Sequence, residues 1–246
     1  MILALGSMVC AMDSVVTDLK KIQNEKVVIT LDLHEVAFDR SYSKFVGALY
    51  TFFKKNPLYN LSLINPVCAY RIFSVLSTTK TAENVYNVLA KKYYPDLEHT
   101  RSEFYALCNM YNCNPEMLQL IKELKQNGYR IAVCSNIGKN VCNDLSKDHA
   151  PFFDHCDVIV TSEPEDNYLR KPAPAFFDKF KKRCYDHFDS DDLIFFFVDD
   201  KEKNIKAAEQ CGIHGCHFKN VIHFREYLQN QGINISYEQA NCTQRT

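Results

Sequence analysis

The stretch "VVITLDLHEVAF" (Val27–Phe38) decides how this chain is read. Its first five residues are mostly β-branched and apolar, the pattern of a short buried strand, and Asp32 stands where such a strand must end. Two residues on comes His34, followed by Glu35, where a second carboxylate would complete an acidic pair. A strand-ending aspartate is by itself a common turn residue. Its meaning depends on what other segments bring to the same place.

Three further segments, "YRIAVCSN", "CDVIVTSE" and "LIFFFVDD", share this pattern of a β-branched or aromatic run closed by polar residues. Helical patterns separate them. In "NPEMLQLIKELKQNG", Asn114 is placed to cap a helix, Pro115 suits its first turn and Gly128 its end, with Met117, Leu118, Ile121 and Leu124 as the inward stripe. "PAPAFFDKFKKRCYDHF" and "EKNIKAAEQCG" are the other clear helices; the basic run Lys179, Lys181, Lys182 and Arg183 on the first of them reads as a solvated face. Strands alternating with helices predict an α/β fold, a Rossmann-like parallel sheet covered on both faces.

Between the first strand and the second lies a long run of amphipathic segments, "SKFVGALYTFFKK", "INPVCAYRIFSVL", "TAENVYNVLAKKYY" and "TRSEFYALCNMY", with no strand alternation. This predicts a helical second domain inserted after the first strand. Its aromatic residues, among them Tyr50, Phe52 and Phe53, recur at helical spacing and read first as packing, second as a platform for an aryl ligand. The expected organisation is an N-terminal extension (1–25), a core (26–38 and 113–232), a helical insert (39–112) and a tail (233–246).

Composition excludes several partner classes. The chain has 246 residues, 46% of them apolar, with 29 basic against 30 acidic residues. So balanced a charge argues against a nucleic-acid surface. No apolar run reaches the roughly 20 residues that span a bilayer. The opening "MILALGSMVCAMDSVV" lacks a basic start and its apolar run ends at Asp13, so it reads as an extension rather than a cleaved leader. Eleven cysteines, with no C-x-x-C pair and most of them inside apolar segments, suit a reducing, cytoplasmic setting. Cys211, His214, Cys216 and His217 have zinc-ligand chemistry but straddle a helix end, a turn and a strand start, which opposes convergence. Oligomeric state is left open by the sequence.

Ligands of open parallel sheets bind beyond the carboxyl ends of the strands. Those ends carry Asp32, then Ser135 with Asn136, then Asp199 with Asp200, while "LRKPAP" sets Lys171 in the loop after the third strand. Carboxylates for a hard cation, a carboxylate nucleophile, and a lysine with hydroxyl and amide donors form a kit for Mg²⁺-assisted phosphoryl transfer.

The set "VVITLDLHEV", "IAVCSN", "RKP" and "FFFVDDKEKNIKAAEQCG" resembles the four motifs of the haloacid dehalogenase (HAD) superfamily, in order, from about Val27 to Phe218. The helical insert resembles its cap domain in the position between the first and second motifs. The resemblance implies a phosphatase in which Asp32 is the nucleophile, Ser135 and Asn136 bind phosphate, and Lys171 steadies the shared charge. It implies Mg²⁺ on Asp32 and Asp200, with Asp199 as a further ligand or just behind, and with the backbone carbonyl of His34.

The family's phosphatases usually carry a second aspartate at the position of His34, and a small residue at that of Glu35. Three readings follow. In the first, imidazole serves near neutrality and the site favours aryl phosphates, phosphotyrosine included, because phenolate leaves with a pKa of about 10. In the second, His34 or Glu35 fully replaces the acid in a small-metabolite phosphatase. In the third, the chain is a noncatalytic binding module. Dehalogenation is disfavoured, since it needs no metal acids. The expected partner is a phosphorylated small molecule or a phosphotyrosine protein. Certain secreted bacterial effectors with this fold act on the latter in another cell's cytosol.

Overall fold

The computed structural model describes residues 24–55, 67, 82–92, 100–102, 105 and 110–235. At its centre is β1 (Val27–Leu31), whose five residues are all buried. It pairs in parallel with β4 (Arg130–Gly138) on one side and β6 (Ile194–Asp199) on the other. β5 (Val158–Ser162) and β7 (His214–His217) complete a five-stranded sheet of order β5-β4-β1-β6-β7, parallel throughout. The four expected strands are present; β7 is the edge strand that begins in the cysteine and histidine segment.

Alternation along β1 feeds two cores. Val27, Ile29 and Leu31 face α3 (Pro115–Gln126), α4 (Lys139–Asp148), α5 (Ala150–Phe153) and α8 (Val221–Asn230), whereas Val28 faces α6 (Pro174–Phe188) and α7 (Glu202–Gln210). A strand buried on both faces must be apolar throughout, which is why Val27–Leu31 shows no polar alternation except the buried Thr30. α3 forms as expected: the Asn114 side chain accepts from the backbone N–H groups of Glu116 and Met117 at 3.0 and 3.1 Å, and Gly128 closes the helix at φ 85. Its buried stripe runs through Leu120 rather than Leu118, since the sheet lies on that side of the helix.

The basic face of α6 matches the expectation in part. Lys182 and Arg183 are exposed, Arg183 while meeting Glu163 at 3.0 Å, but Lys179 is drawn in to Glu163 at 3.0 Å and the Thr161 carbonyl at 3.1 Å. Glu163 is buried at the end of β5, and a buried carboxylate draws cations inward.

The insert leaves and returns through a two-stranded antiparallel ribbon, β2 (Phe38–Arg40) with β3 (Tyr111–Cys113). Both strands are too short and too polar to announce themselves in sequence. Beyond the ribbon lie helices α1 (Tyr42–Lys55) and α2 (Ala82–Lys92). The expected helices at 64–76 and 100–111 fall largely outside the described residues, and β3 takes the end of the second. Tyr50 is exposed on α1, with the Lys54 ammonium 5.9 Å from its ring centre, so it is not packed as its spacing implied. Phe52 and Phe53 lie outside the described side chains. No helix among the described residues is long and apolar enough to cross a membrane. At the far end, Ile233 and Ile235 are buried and the Asn234 N–H donates to the Tyr129 hydroxyl, so packing continues past the expected boundary at 232. Residues 1–23 and 236–246 lie outside the described residues.

Candidate active site

The parallel sheet brings the ends of β1, β4 and β6 side by side, and with them the expected residues. Asp32 follows β1, and its N–H donates to the Val198 carbonyl at 3.0 Å. Three groups converge on Asp32 Oδ1: the Ser135 hydroxyl donates at 2.8 Å, the Leu33 N–H at 2.8 Å, and the Lys171 ammonium lies at 3.1 Å. Oδ2 receives none of them. Burial pushes the Asp32 carboxyl up, but Lys171, His34, Ser135 and the Leu33 N–H together hold it below the ordinary aspartate value.

Lys171 is only 2% exposed. Its ammonium donates to Asp199 Oδ2 at 2.6 Å and to the Cys134 carbonyl at 2.7 Å, and sits 4.9 Å from the centre of the Phe197 ring. Burial pulls an ammonium down, yet Asp32 and Asp199 hold this one above the usual lysine range. The Asn136 side chain clamps the Lys171 backbone from both directions, Nδ2 donating to its carbonyl at 3.0 Å and Oδ1 accepting from its N–H at 2.8 Å. That amide is therefore committed to the lysine loop.

Asp199 is fully buried and saturated. Besides Lys171 it accepts from the Lys201 N–H at 2.8 Å and from Asn204 Nδ2 at 2.9 and 3.0 Å. Burial pushes its carboxyl up and the charge of Asp32 adds to that, against Lys171. Two carboxylates facing one ammonium are thus split in direction, Asp32 held below the ordinary aspartate value and Asp199 above it. Asp200 is half-buried, with Oδ1 3.1 Å from the Lys201 ammonium and its carbonyl 3.1 Å from His217 Nε2. Carboxylate oxygens of Asp32, Asp199 and Asp200 lie within 4.8 Å of one another. An all-oxygen trio of this kind suits a hard cation such as Mg²⁺.

His34 sits on the opposite flank. Its ring stacks on Tyr111, centroids 4.1 Å apart and planes within 8°, and its Nε2 is buried with no hydrogen-bond partner. Burial lowers its pKa below 6.5, with Lys201, Lys171 and Arg40 adding to that effect and Asp32 opposing it. Glu35 adopts φ 62, left-handed backbone that disfavours any side chain, and pairs with Arg40 at 3.1 Å.

Sequence reading missed Asn204 and Tyr111. Asn204 had a faint signal, a polar residue at the start of the helix that follows the acid pair. Tyr111 had none, because the whole insert separates it from His34. The insert also docks on the core: Glu83 of α2, fully buried, accepts from the N–H and side-chain amide of Asn140, each at 2.9 Å, at the start of α4. Gly138 makes room for it, since a Cβ there would lie 2.6 Å from that of Glu83. Asn87 donates to the Tyr168 hydroxyl at 3.0 Å beside the lysine loop.

Known proteins share this architecture. The HAD hydrolase YfnB of Bacillus subtilis, described as bound to magnesium, shares 14% identity over 84% of this chain and 98% of its own, with a TM-score of 0.54. A HAD family enzyme of Bacteroides thetaiotaomicron shares 17% identity over 78% of this chain and 92% of its own, with a TM-score of 0.53. At such identities the likeness concerns the fold. No curated protein matches the sequence significantly. The family model of the haloacid dehalogenase-like hydrolases matches residues 26–212, most of the described core together with the insert, and the chain belongs to that family.

Proposed function

We propose that the protein is a Mg²⁺-dependent phosphomonoester hydrolase that works through a phosphoaspartate on Asp32 and favours aryl phosphates, phosphotyrosine among them. The observation that carries the reading is the convergence of Ser135 and Lys171 on Oδ1 of an ionised Asp32, which leaves Oδ2 for attack. Mg²⁺ would be held by Asp32, Asp200 and the His34 carbonyl, with the saturated Asp199 behind them; when bound it supplies positive charge to the phosphoryl oxygens.

The chain's own residues account for the rest. Asp32 Oδ2 attacks phosphorus, the P–O bond to the leaving group breaks, and its electron pair departs on that oxygen. Lys171 and Ser135 balance the charge shared by the aspartyl oxygen and the phosphoryl group. Water then attacks phosphorus, the bond to Asp32 breaks to restore the carboxylate, and inorganic phosphate leaves. The His34 imidazole takes the proton of that water. Its lowered pKa leaves the imidazole neutral at pH 7, ready to accept a proton and poorly supplied with one to donate. The second half of the cycle is served and the protonation of a poor leaving group is not. Phenolate needs little protonation, and an alkyl alkoxide needs much.

The docking of α2 through Glu83 and Asn87 favours, as a second reading, a substrate of metabolite size over a protein. One panel separates the readings: an aryl phosphate, phosphotyrosine peptides, phosphoserine peptides and sugar phosphates, with Mg²⁺, for the native chain and Asp32→Asn. Aryl turnover is expected to exceed alkyl turnover by roughly 10²-fold, the contribution of an absent general acid, and to vanish in the variant. Equal rates on aryl and alkyl esters would sink the leaving-group argument. A folded, wholly inactive protein would make the chain a binding module.

A further inference from the structure

We infer that Glu83 is a positioning residue for the groups that hold the phosphoryl oxygens: reaching out of the insert, it fixes the far end of the backbone bulge that carries Ser135. The inference rests on the assignment of Ser135 and Lys171 to the phosphoryl group in the phosphatase reading, and deepens it.

Strand β4 leaves its ladder at the site. Cys134 pairs with Val160 of β5 and Gly138 with Ser162, so four steps along β4 meet two along β5. Ser135, Asn136 and Ile137 bulge out between them, and pairing with β1 has already ended at Val133. Side chains hold what the ladder does not. Asn136 clamps the Lys171 backbone at 3.0 and 2.8 Å. Just past the bulge, the Glu83 carboxylate accepts from the N–H and the side-chain amide of Asn140, each at 2.9 Å. That N–H lies in the first turn of α4, whose own N-cap, Gly138, has no side chain to offer, so a residue of the insert caps a helix of the core. Glu83 is fully buried, where charge-assisted hydrogen bonds are strong. One helical turn on, Asn87 donates to the Tyr168 hydroxyl at 3.0 Å, three residues ahead of Lys171. Asn167 and Tyr168 are both left-handed, at φ 55 and 53, a strained backbone that persists only where its surroundings hold it. One face of α2 therefore grips the Ser135 bulge and the lysine loop, and Asn136 ties the two to each other. Ser135 and Lys171 are in register while α2 is docked.

The substitution Glu83→Ala removes the hold and leaves Asp32, Ser135, Asn136 and Lys171 in the chain. Inorganic phosphate, titrated calorimetrically with Mg²⁺ present, should bind roughly 10–100-fold more weakly than to the native protein. The kcat/KM of an aryl phosphate should fall by a similar factor, with kcat down as well as KM up, because the displaced groups serve the transition state too. Gly138→Ala strikes the same contact from the core side, its Cβ 2.4 Å from Glu83 Oε2, and should give the same losses; it serves should Glu83→Ala not fold. Glu83→Gln keeps an oxygen for the Asn140 N–H and is expected to recover most of the phosphate affinity. A merely structural contact would lower the melting temperature and leave phosphate affinity alone. Folded Glu83→Ala or Gly138→Ala proteins that bind phosphate as the native protein does therefore overturn the inference, with the phosphatase reading intact. So does a Gln variant as weak as Ala, which would make the charge the agent. A native chain that binds phosphate and turns over no phosphomonoester overturns the phosphatase reading, while the variants' affinities still decide this inference. A native chain that binds no phosphate overturns both.

Discussion

On one flank of Asp32 the Lys171 ammonium has acceptors in Asp32, Asp199 and the Cys134 carbonyl, and Asp199 has donors on both oxygens. On the other flank His34 has a sealed, unpartnered nitrogen and a stacked ring, and Glu35 beside it sits in left-handed backbone. The first flank is a network in which two carboxylates share one ammonium and backbone and amide donors supply the rest, so its geometry is held by electrostatics in a dry interior. The second is held by ring packing and a short ribbon. A site needs its charge-balancing groups fixed, whereas a group that takes up and releases a proton cannot be locked in one protonation state by strong partners.

The largest expected effect breaks the first flank. Lys171→Met leaves the buried Asp32 and Asp199 facing each other without a cation, which should cost about 3–5 kcal/mol in urea denaturation and abolish turnover. Added Mg²⁺ should recover part of the stability, because a bound cation replaces the missing charge. A variant as stable as native would show that this network is not what fixes the site.

A smaller effect sharpens the second flank through pH. The folded state holds His34 below 6.5, so on acidification the unfolded chain binds its proton first. The stability associated with neutral His34 is complete above pH 6.5 and is lost as pH falls from there through the folded value. His34→Phe, which keeps a ring against Tyr111, lacks this loss. The stability difference between the two proteins should be flat above about pH 7 and should move in favour of the variant below about 6.5, by at most about 1.4 kcal/mol per pH unit. A difference independent of pH would mean that the imidazole is freely protonated in the fold.

The smallest effect concerns Glu35. Glycine relieves left-handed strain of roughly 1–2 kcal/mol. It also loosens the unfolded chain and gives up a half-exposed pair with Arg40. Glu35→Gly should therefore stabilise by less than about 1 kcal/mol, seen as a small rise in melting temperature, and destabilisation would show that the pair outweighs the strain.

Much of the fold was legible because the signals are local. Val27–Leu31, the run before Ser135 and the strand Ile194–Asp199 are largely buried apolar stretches, and the polar residue ending each had to emerge at the same edge of a parallel sheet. That logic brought Asp32, Ser135, Lys171, Asp199 and Asp200 together without any contact being known. It failed at Lys179, whose partner Glu163 lies on another element, and at β2 and β3, where three residues apiece carry no periodicity. It was silent on Asn204, which reads in sequence as one more polar residue of an exposed helix.

The sequence by itself determined the strands, the two-faced core, the helical insert and the acids at the strand ends, because burial imposes a period that can be read along the chain. Only the tertiary structure decided that Oδ1 of Asp32 is occupied and Oδ2 left, that Asp199 is saturated while Asp200 is not, and that Tyr111 faces His34. Those facts depend on desolvation and hydrogen bonding between groups remote in the chain, and no local pattern encodes which remote group will arrive.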